Sequence, residues 1–480
     1  MKLSDIILQS EVLLSHGDTE RCEVRGIAEN ADAAQAGDVL FVRTTSPEIY
    51  KKARNLGVTA IITGYGEYTE PDVPALWVSN VRAALALAHL RMHGNPQKDM
   101  RFIGITGTNG KSTVCLMTAH ILRKAGHRVG IIGTLFCDCG MGQVSSDYTT
   151  PPPALLASEL AEMHKNGIDT VVMEVSSHSL SQERVYGIGF DIGIFTNLTH
   201  DHLDFHGSPD EYASAKEKLF RRSKISLINI DDKAAYRMAW ASGGDVFYYG
   251  KDHRAEFYFE NEKISAGGSD FDFCISPGGI SHNIKESILP LGDFNVYNAT
   301  AALACAYLFG ISEEKLADAL ADFPPVRGRM ERIYAGDFDV IVDYAHTPDA
   351  LRKAVSALRE VYGGRIITLF GCGGDRDKTK RPEMGDIAAS LSDLAIVTSD
   401  NPRTEDPAEI IRDICMGIRS ENYITEINRE KAIKIAVSAA KKGDVILLAG
   451  KGHEEYIIDK EGKHDFCERE TVLKIIKEKD

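Results

Sequence analysis

Between an apolar run, Arg101 to Ile105, and a helical stretch, Val114 to Lys124, the chain places the heptapeptide Gly107-Thr108-Asn109-Gly110-Lys111-Ser112-Thr113. Strand, glycine turn, lysine and hydroxyl, then helix is the order of a phosphate cradle. Backbone N–H groups and the helix N-terminus face the anion, Lys111 supplies a point charge to the outer phosphates, and Ser112 or Thr113 reaches a divalent cation. The full Walker pattern has a further Gly at the position of Ile105, so this is a variant loop. An ATP or GTP site is expected, with an ordinary glycine turn before a core helix as the bland alternative.

A second set of chemistry-bearing residues lies in the last third. Apolar runs ending near Val342, Leu369, Val397 and Leu448 are each followed at once by a polar loop. The loops are Asp343-Tyr-Ala-His346-Thr-Pro-Asp349, Gly371-Cys-Gly-Gly-Asp-Arg376-Asp-Lys378, Ser399-Asp400-Asn401-Pro-Arg403 and Gly450-Lys-Gly-His-Glu454. In open parallel sheets ligands bind beyond the carboxyl ends of the strands. A pocket mixing Arg, Asp, Asn and Glu suits a ligand with both ammonium and carboxylate groups, because Arg forks pair with carboxylates while Asp and Glu hold an amine.

The middle of the chain carries residues suited to a metal. Beyond the run ending at Met173 lies Glu174-Val-Ser176-Ser-His178, and beyond Phe195 lies Thr196-Asn-Leu-Thr-His-Asp-His202-Leu-Asp-Phe-His206. A carboxylate at a strand end in a P-loop domain is a natural Mg²⁺ ligand; each His alone is more often a packed or capping residue. A helix begins near Pro209 and runs to Phe220. Within it Lys216 reads, from the residues alone, as a solvated helix lysine.

The elements that must position these groups divide the 480-residue chain into an expected three domains. Residues 1–98 alternate short apolar runs (Asp38 to Val42, Val58 to Thr63, Ala75 to Val78) with helical patterns and close on the polar linker Gly94 to Asp99. Residues 99–327 alternate strands such as Thr170 to Met173, Ile192 to Phe195 and Ile225 to Ile228 with helices, with an antiparallel insertion at 246–290. After the hinge Phe323-Pro-Pro-Val-Arg-Gly-Arg329, residues 328–480 form a second βαβ series. The fold class is α/β: a small N-terminal domain, a central P-loop-type, mostly parallel sheet, and a Rossmann-like C-terminal domain.

A formal net charge of −15 argues against nucleic-acid or membrane-surface partners. No apolar stretch approaches a membrane span, and Met1 to Ser10 lacks the pattern of a signal peptide, so a cytoplasmic protein is expected. The nine cysteines are scattered and read as reduced thiols.

Taken in order, TGTNGKST, YTTP, EVSSHSLSQERV, TNLTHDHLDFHG, the YASAK helix, LGDFNVYNA, GRME, VDYAHTPDAL, FGCGGDRDKTKRP, SDNPRTEDP and AGKGHE resemble the Mur ligases across nearly the whole chain, and among them the MurE type. The resemblance implies ATP- and Mg²⁺-dependent amide formation in peptidoglycan precursor synthesis by a cytoplasmic monomer. The γ-carboxylate of D-Glu in UDP-MurNAc-L-Ala-D-Glu would become an acyl phosphate, and an amine would then displace phosphate. It implies that Lys216 is carbamylated, converting a cation into a carboxylate that helps hold Mg²⁺ with Glu174, His202 and Ser112. That reverses the bland reading, and it requires a partly buried Lys216 with a lowered pKa. By the same resemblance Asn298 lies at the adenine, and Arg329, Asp343 and His346 approach ATP. Thr149, Thr150, Ser176, Gln182 and Arg184 match positions holding the muramoyl dipeptide, the two threonines having a helix-capping turn as alternative.

The tetrapeptide Asp400-Asn-Pro-Arg403 resembles that of meso-diaminopimelate-adding members, where the Arg grips the far carboxylate of the amino acid. L-Lysine lacks that group. Arg376, Asn401, Gly450 and Glu454 match the rest of the pocket. The first domain departs from the family pattern: Asn30-Ala31-Asp32 stands in place of Asp-Ser-Arg, and the following loop is the short Arg43-Thr-Thr-Ser-Pro47. A paralogue using another acyl acceptor, an L-lysine-adding enzyme, a folylpolyglutamate-synthetase-like ligase and a noncatalytic nucleotide-binding scaffold are therefore the alternatives.

Overall fold

A computed structural model describes residues 1–64, 73–276, 282–289 and 291–479. Positions 277–281 and 290 of the expected insertion lie outside them, as do 65–72 of the first expected domain and 480 of the last. The chain packs into two compact units. One comprises Met1–Gly104, His127–Asp191 and Arg221–Lys224, the other Ile105–Gly126, Ile192–Phe220 and Ile225–Asp480.

The first unit contains a five-stranded sheet in the spatial order Val12–His16, Ala75–Val78, Ala60–Gly64, Asp38–Val42, Gly26–Ala28. All its pairings are parallel except that of the first two strands. Both faces are covered, so the strands read as continuous apolar runs. Val39, Phe41, Ile62 and Leu76 face the helix Val81–Met92, while Leu40, Ile61 and Trp77 face Pro47–Leu56. The expected linker at Gly94 to Asp99 folds instead into a short 3₁₀ helix, Pro96–Asp99, with Asn95 left-handed and Pro96 buried.

An eleven-stranded sheet has at its centre, in spatial order, Ser223–Asn229, Phe190–Phe195, Arg101–Thr106, Thr170–Glu174 and Val129–Ile132. The expected strands are present with one or two residues added at their ends, where hydrogen bonding continues past the apolar run. The insertion is only partly antiparallel: Asp245–Gly250 pairs parallel with both neighbours, and the meander starts at Phe257–Ser265 and continues through Gly268–Ile275 and His282–Ile288. In the second unit the helix Asp293–Leu308, buried nearly all round, packs on Lys111–Lys124.

The second unit also holds a six-stranded sheet ordered Glu331–Ala335, Asp339–Asp343, Val445–Ala449, Ile366–Phe370, Leu394–Thr398, Tyr423–Glu426. All pairs but the first are parallel. Alternate residues of one strand feed opposite cores: Ile446 and Leu448 join one, Val445, Leu447 and Ala449 the other. Helices close both faces, which is the doubly wound arrangement. Each of the four expected strand ends falls one residue later than the apolar run, at Asp343, Phe370, Thr398 and Ala449. Because these strands are adjacent and parallel, their four polar loops emerge along one edge.

Among the described residues no helix is long and apolar enough to cross a membrane.

Candidate functional site

The phosphate loop is shaped by two glycines that no other residue replaces easily. Gly107 has φ +154° and Gly110 φ +87°. A Cβ on Gly107 would drive into Thr196 Oγ1, and one on Gly110 would lie 2.6 Å from Asn298 Oδ1. Left-handed Gly110 caps the helix Lys111–Lys124, whose first N–H groups have no intrahelical partner and point out of its end. The loop is braced from the Thr196–Thr199 segment. Thr196 Oγ1 donates to Asn109 O (2.6 Å), Asn109 N donates to Asn197 Oδ1 (2.9 Å), and Thr199 N donates to Thr108 Oγ1 (3.0 Å). Lys111 Nζ donates to the carbonyls of Gly107 (3.0 Å) and Thr108 (2.8 Å). Gly107→Ala is expected to lower stability by roughly 2 kcal/mol or more, since it combines a forbidden φ with a steric clash. Denaturant melting checks this; a variant as stable as the parent would show the loop relaxes freely.

Lys216 is not a solvated helix lysine: it is 1 % exposed, more deeply buried than the partial burial the family resemblance requires. Its Nζ donates to Gly107 O (2.8 Å) and lies 4.5 Å from the Tyr212 ring centroid. Burial pushes its pKa well below the usual lysine value, neighbouring Lys111 adds to this, and Asp201 opposes it. The cause is legible in hindsight. On the helix Pro209–Phe220 the residues Tyr212, Lys216 and Phe220 recur at i, i+4 and i+8, so the lysine belongs to the buried stripe. Tyr212 OH also meets Thr108 Oγ1 at 3.1 Å, tying this helix to the phosphate loop.

Next to it is an acid–base cluster in which Asp201 and Lys380 join the expected site residues His202 and His346. His202, left-handed at φ +54°, has Nε2 3.3 Å from Asp201 Oδ2. Burial alone would raise the Asp201 pKa, yet His346, His202 and Lys380 hold it below the usual carboxylate range. Lys380 Nζ donates to His346 O (2.9 Å), and His346 Nδ1 lies 2.8 Å from Tyr344 O. Burial and Lys380 lower the His346 pKa in turn. Arg329 stacks over the Tyr344 ring at 4.5 Å and donates to Ser112 Oγ (3.3 Å). Asp343 Oδ2 accepts from Met330 N at 2.7 Å. Asn298 Nδ2 donates to Asn295 Oδ1 (3.0 Å), leaving its Oδ1 against the phosphate loop.

In the first unit, Glu174 ends its strand and is 2 % exposed. Its Oε1 accepts from Thr134 N (2.7 Å) and its Oε2 from Thr134 Oγ1 (3.2 Å). Thr134 Oγ1 also lies 3.0 Å from Thr149 Oγ1, and Thr150 Oγ1 donates to Glu174 O (2.8 Å). Neither threonine caps the helix Pro153–Lys165, whose N-cap is Pro152; the capping alternative is thereby set aside. Ser176 caps the helix Ser177–Ser181, its Oγ accepting from Ser179 N (3.1 Å). Arg184 donates to Thr150 O (2.7 Å) and twice to Gln182 Oε1, at 3.0 and 2.8 Å. The structure thus gathers Glu174, Thr149, Thr150, Ser176, Gln182 and Arg184 into one polar network.

The edge loops of the six-stranded sheet hold one another closely. Asp400 and Asn401 are buried, and Arg403 is left-handed at φ +52°. Arg403 donates to Gly374 O (2.7 Å), while Thr404 Oγ1 donates to Asp375 Oδ1 (2.6 Å). A Cβ at Gly450 (φ +112°) would lie 2.7 Å from Asp400 Oδ2, so glycine is required there. Asn401 Nδ2 donates to Glu454 Oε2 at 2.8 Å. Arg376 alone of the pocket candidates stands exposed, on the same loop as Asp375. Behind the loop the wholly buried Arg381 pairs with Glu405 (2.9 Å) and Asp413 (2.9 Å). Its hydrogen bonds hold the Glu405 carboxyl down at about 2. Arg381, Lys380 and Asp201 were not singled out from sequence, and neither was Lys451.

Residues 105–306 match the Mur ligase middle domain, and residues 328–452 match the Mur ligase glutamate ligase domain. The UDP-N-acetylmuramoyl-L-alanyl-D-glutamate–2,6-diaminopimelate ligase 1 of Clostridium acetobutylicum is 46 % identical over 430 residues, covering 89 % of this chain and 88 % of that protein. The chain belongs to the Mur ligase family. The corresponding ligase of Clostridium tetani is 39 % identical, with all of both chains covered. A solved structure of a ligase of the same name shares 30 % identity at a TM-score of 0.68, over 96 % of each chain. As a Mur ligase this chain keeps the family's motifs while its own packing decides how each residue is held. The diverged Asn30–Asp32 segment, for example, is internally engaged: Asp32 N donates to Asn30 Oδ1 (2.9 Å) and Asp32 pairs with Lys52.

Proposed function

We propose that this Mur ligase joins meso-diaminopimelate to the D-Glu γ-carboxylate of UDP-MurNAc-L-Ala-D-Glu, with ATP as phosphoryl donor. The observation that carries the reading is the interlocked pocket at the sheet edge. Arg403 is fixed by its left-handed backbone and Gly374, and Asp400, Asn401 and Glu454 are linked around the buried Lys451. One end of the pocket suits a carboxylate and the other an ammonium, as an amino acid with a second amino-acid centre requires. The full-length similarity to diaminopimelate ligases supports the same amine over L-lysine and the same acceptor over another. The alternatives of a scaffold and a folylpolyglutamate-type ligase have no such support.

The reaction divides among the chain's own groups. Lys111 and the N-terminus of its helix neutralise charge gathering on the phosphates, and the loop glycines let the backbone approach them. The D-Glu γ-carboxylate takes the γ-phosphoryl group, ADP leaves, and the incoming amine displaces phosphate while losing a proton. Thr149, Thr150, Ser176, Gln182 and Arg184 hold the acceptor. Asn298 contacts adenine, and Arg329, Asp343 and His346 complete the ATP site from beyond the hinge. Uridine binding is assigned to the first expected domain, where Asn30 and Asp32 stand exposed.

By donor type the resemblance assigns Mg²⁺ to Glu174 and Ser112 for hard oxygens, His202 for a ring nitrogen and Lys216 for a carbamate once modified, while among the described residues no three His, Cys, Asp or Glu side chains are already gathered for a metal. Burial favours the uncharged amine of Lys216, the form whose lone pair attacks the carbon of carbon dioxide, an N–C bond forming as a C=O π pair moves to oxygen and the nitrogen loses a proton to solvent. Mg²⁺ bound there would neutralise the transferring phosphoryl group. Domain boundaries at 98/99 and 327/328, a monomer and a cytoplasmic location belong to the same proposal.

Phosphate release with ATP, Mg²⁺ and UDP-MurNAc-L-Ala-D-Glu, comparing meso-diaminopimelate with L-lysine and confirming product mass, tests it. Product only with diaminopimelate is expected. Comparable turnover with L-lysine would overturn the amine, and absence of product with either, despite ATP binding, would overturn the acceptor.

A further inference from the structure

Lys451 follows Gly450 in the last edge loop and has no exposed surface at all. Its Nζ donates to Asn401 Oδ1 (3.1 Å) and lies 3.7 Å from Asp400 Oδ1 and 3.5 Å from Glu454 Oε2. Asn401 is correspondingly spent inward. Its Oδ1 accepts from both Lys451 and Ile458 N (3.0 Å), and its Nδ2 donates to Glu454. The hairpin of Tyr456–Asp459 and Gly462–Asp465 closes the lock, Arg403 N donating to Ile458 O at 3.0 Å. The Lys451 ammonium and the Asn401 amide it grips therefore join three chain segments: 400–403, 450–454 and the hairpin.

We infer that Lys451 is the positioning residue of the amine pocket, a buried cation that offsets one of the two carboxylates of Asp400 and Glu454 and holds Asn401 and Glu454 in register with Arg403. This rests on the proposed diaminopimelate pocket. Two carboxylates side by side repel each other, and with Lys451 between them the group carries one net negative charge, matched to one substrate ammonium. Asn401 accordingly acts on the substrate through the geometry it imposes on Glu454. Without Lys451, Glu454 faces Asp400 unshielded and Asn401 Oδ1 loses a charged donor. Lys451 engages Asn401, Asp400 and Glu454, all in the amine pocket, so loss should fall on amine binding and not on ATP.

The test is steady-state kinetics of the full chain carrying Lys451→Met. The expected result is a rise of about tenfold or more in KM for meso-diaminopimelate, with KM for ATP and for the acceptor within about twofold and kcat within about threefold. An unchanged KM for diaminopimelate, or a fall in kcat alone, would overturn the inference. Should Lys451→Met not yield folded protein, Lys451→Arg keeps the charge but not the single-point donor, and the same split between KM values decides. If the parent protein itself makes no product with diaminopimelate, it is the functional reading that fails, an outcome visible before any variant is compared.

Discussion

Lys216→Met is expected to lose roughly a thousandfold or more of ligase turnover while melting at or above the temperature of the parent protein. The two effects have separate causes. Turnover falls because the variant has no amine to carry a carbamate, and so no way to add a carboxylate oxygen beside the phosphate loop. Stability is kept because the amine is 1 % exposed and its pKa is driven down chiefly by burial. A methionine of similar length relieves that desolvation. The one hydrogen bond lost costs little, since Gly107 O still accepts from Lys111 Nζ at 3.0 Å. The Tyr212 ring, 4.5 Å from Nζ, also offers a thioether a favourable neighbour. Phosphate release and thermal melting measured together check the pair of outcomes. Parent-like turnover of Lys216→Ala without added short-chain carboxylic acids would sink the carbamate role. A carbonyl signal from ¹³C-bicarbonate present in the parent and absent in the variant would support it directly.

Arg403→Ala should raise KM for meso-diaminopimelate by about a hundredfold, an effect of order 2–3 kcal/mol for removing the charged partner of a buried carboxylate. The guanidinium is held by Gly374 O at 2.7 Å and Asn401 O at 3.4 Å, so its direction is set before substrate arrives. Side-chain ordering is then already complete in the free enzyme. L-Lysine, with no far carboxylate, should be affected far less, so the preference between the two amines should shrink in step with the loss. Parallel KM determinations with both amines measure this. An equal loss for both would mean that Arg403 supports the loop and does not read the substrate.

The parts of this protein legible without coordinates are those governed by short-range rules. Gly107 and Gly110 sit where only glycine adopts the required φ, and the helix following Lys111 has basic residues at its far end, Arg123 and Lys124. The apolar runs at 339–343, 366–370, 394–398 and 445–449 are strands because both faces are covered, and their boundaries moved by one residue at most on the loop side. The insertion was misjudged at Asp245–Gly250, since strand direction is a property of the partner strand and leaves no mark on the residues themselves.

What the amino-acid order determined by itself is therefore the set of strands, turns and phosphate-binding glycines, and the succession of loops that carry Asp, Asn, Arg and Glu. What only the tertiary structure decided is the burial and the partners of particular side chains, and with them the direction in which their pKa values move. Lys216 became a buried amine whose pKa burial drives down, Asp201 a carboxyl held below its usual range by His346, His202 and Lys380, and Lys451 a cation locked between segments 50 residues apart. The physical reason is range. Backbone preferences act over a few residues and can be read from spacing, whereas desolvation and ion pairing depend on atoms that distant segments bring together only when the chain has folded.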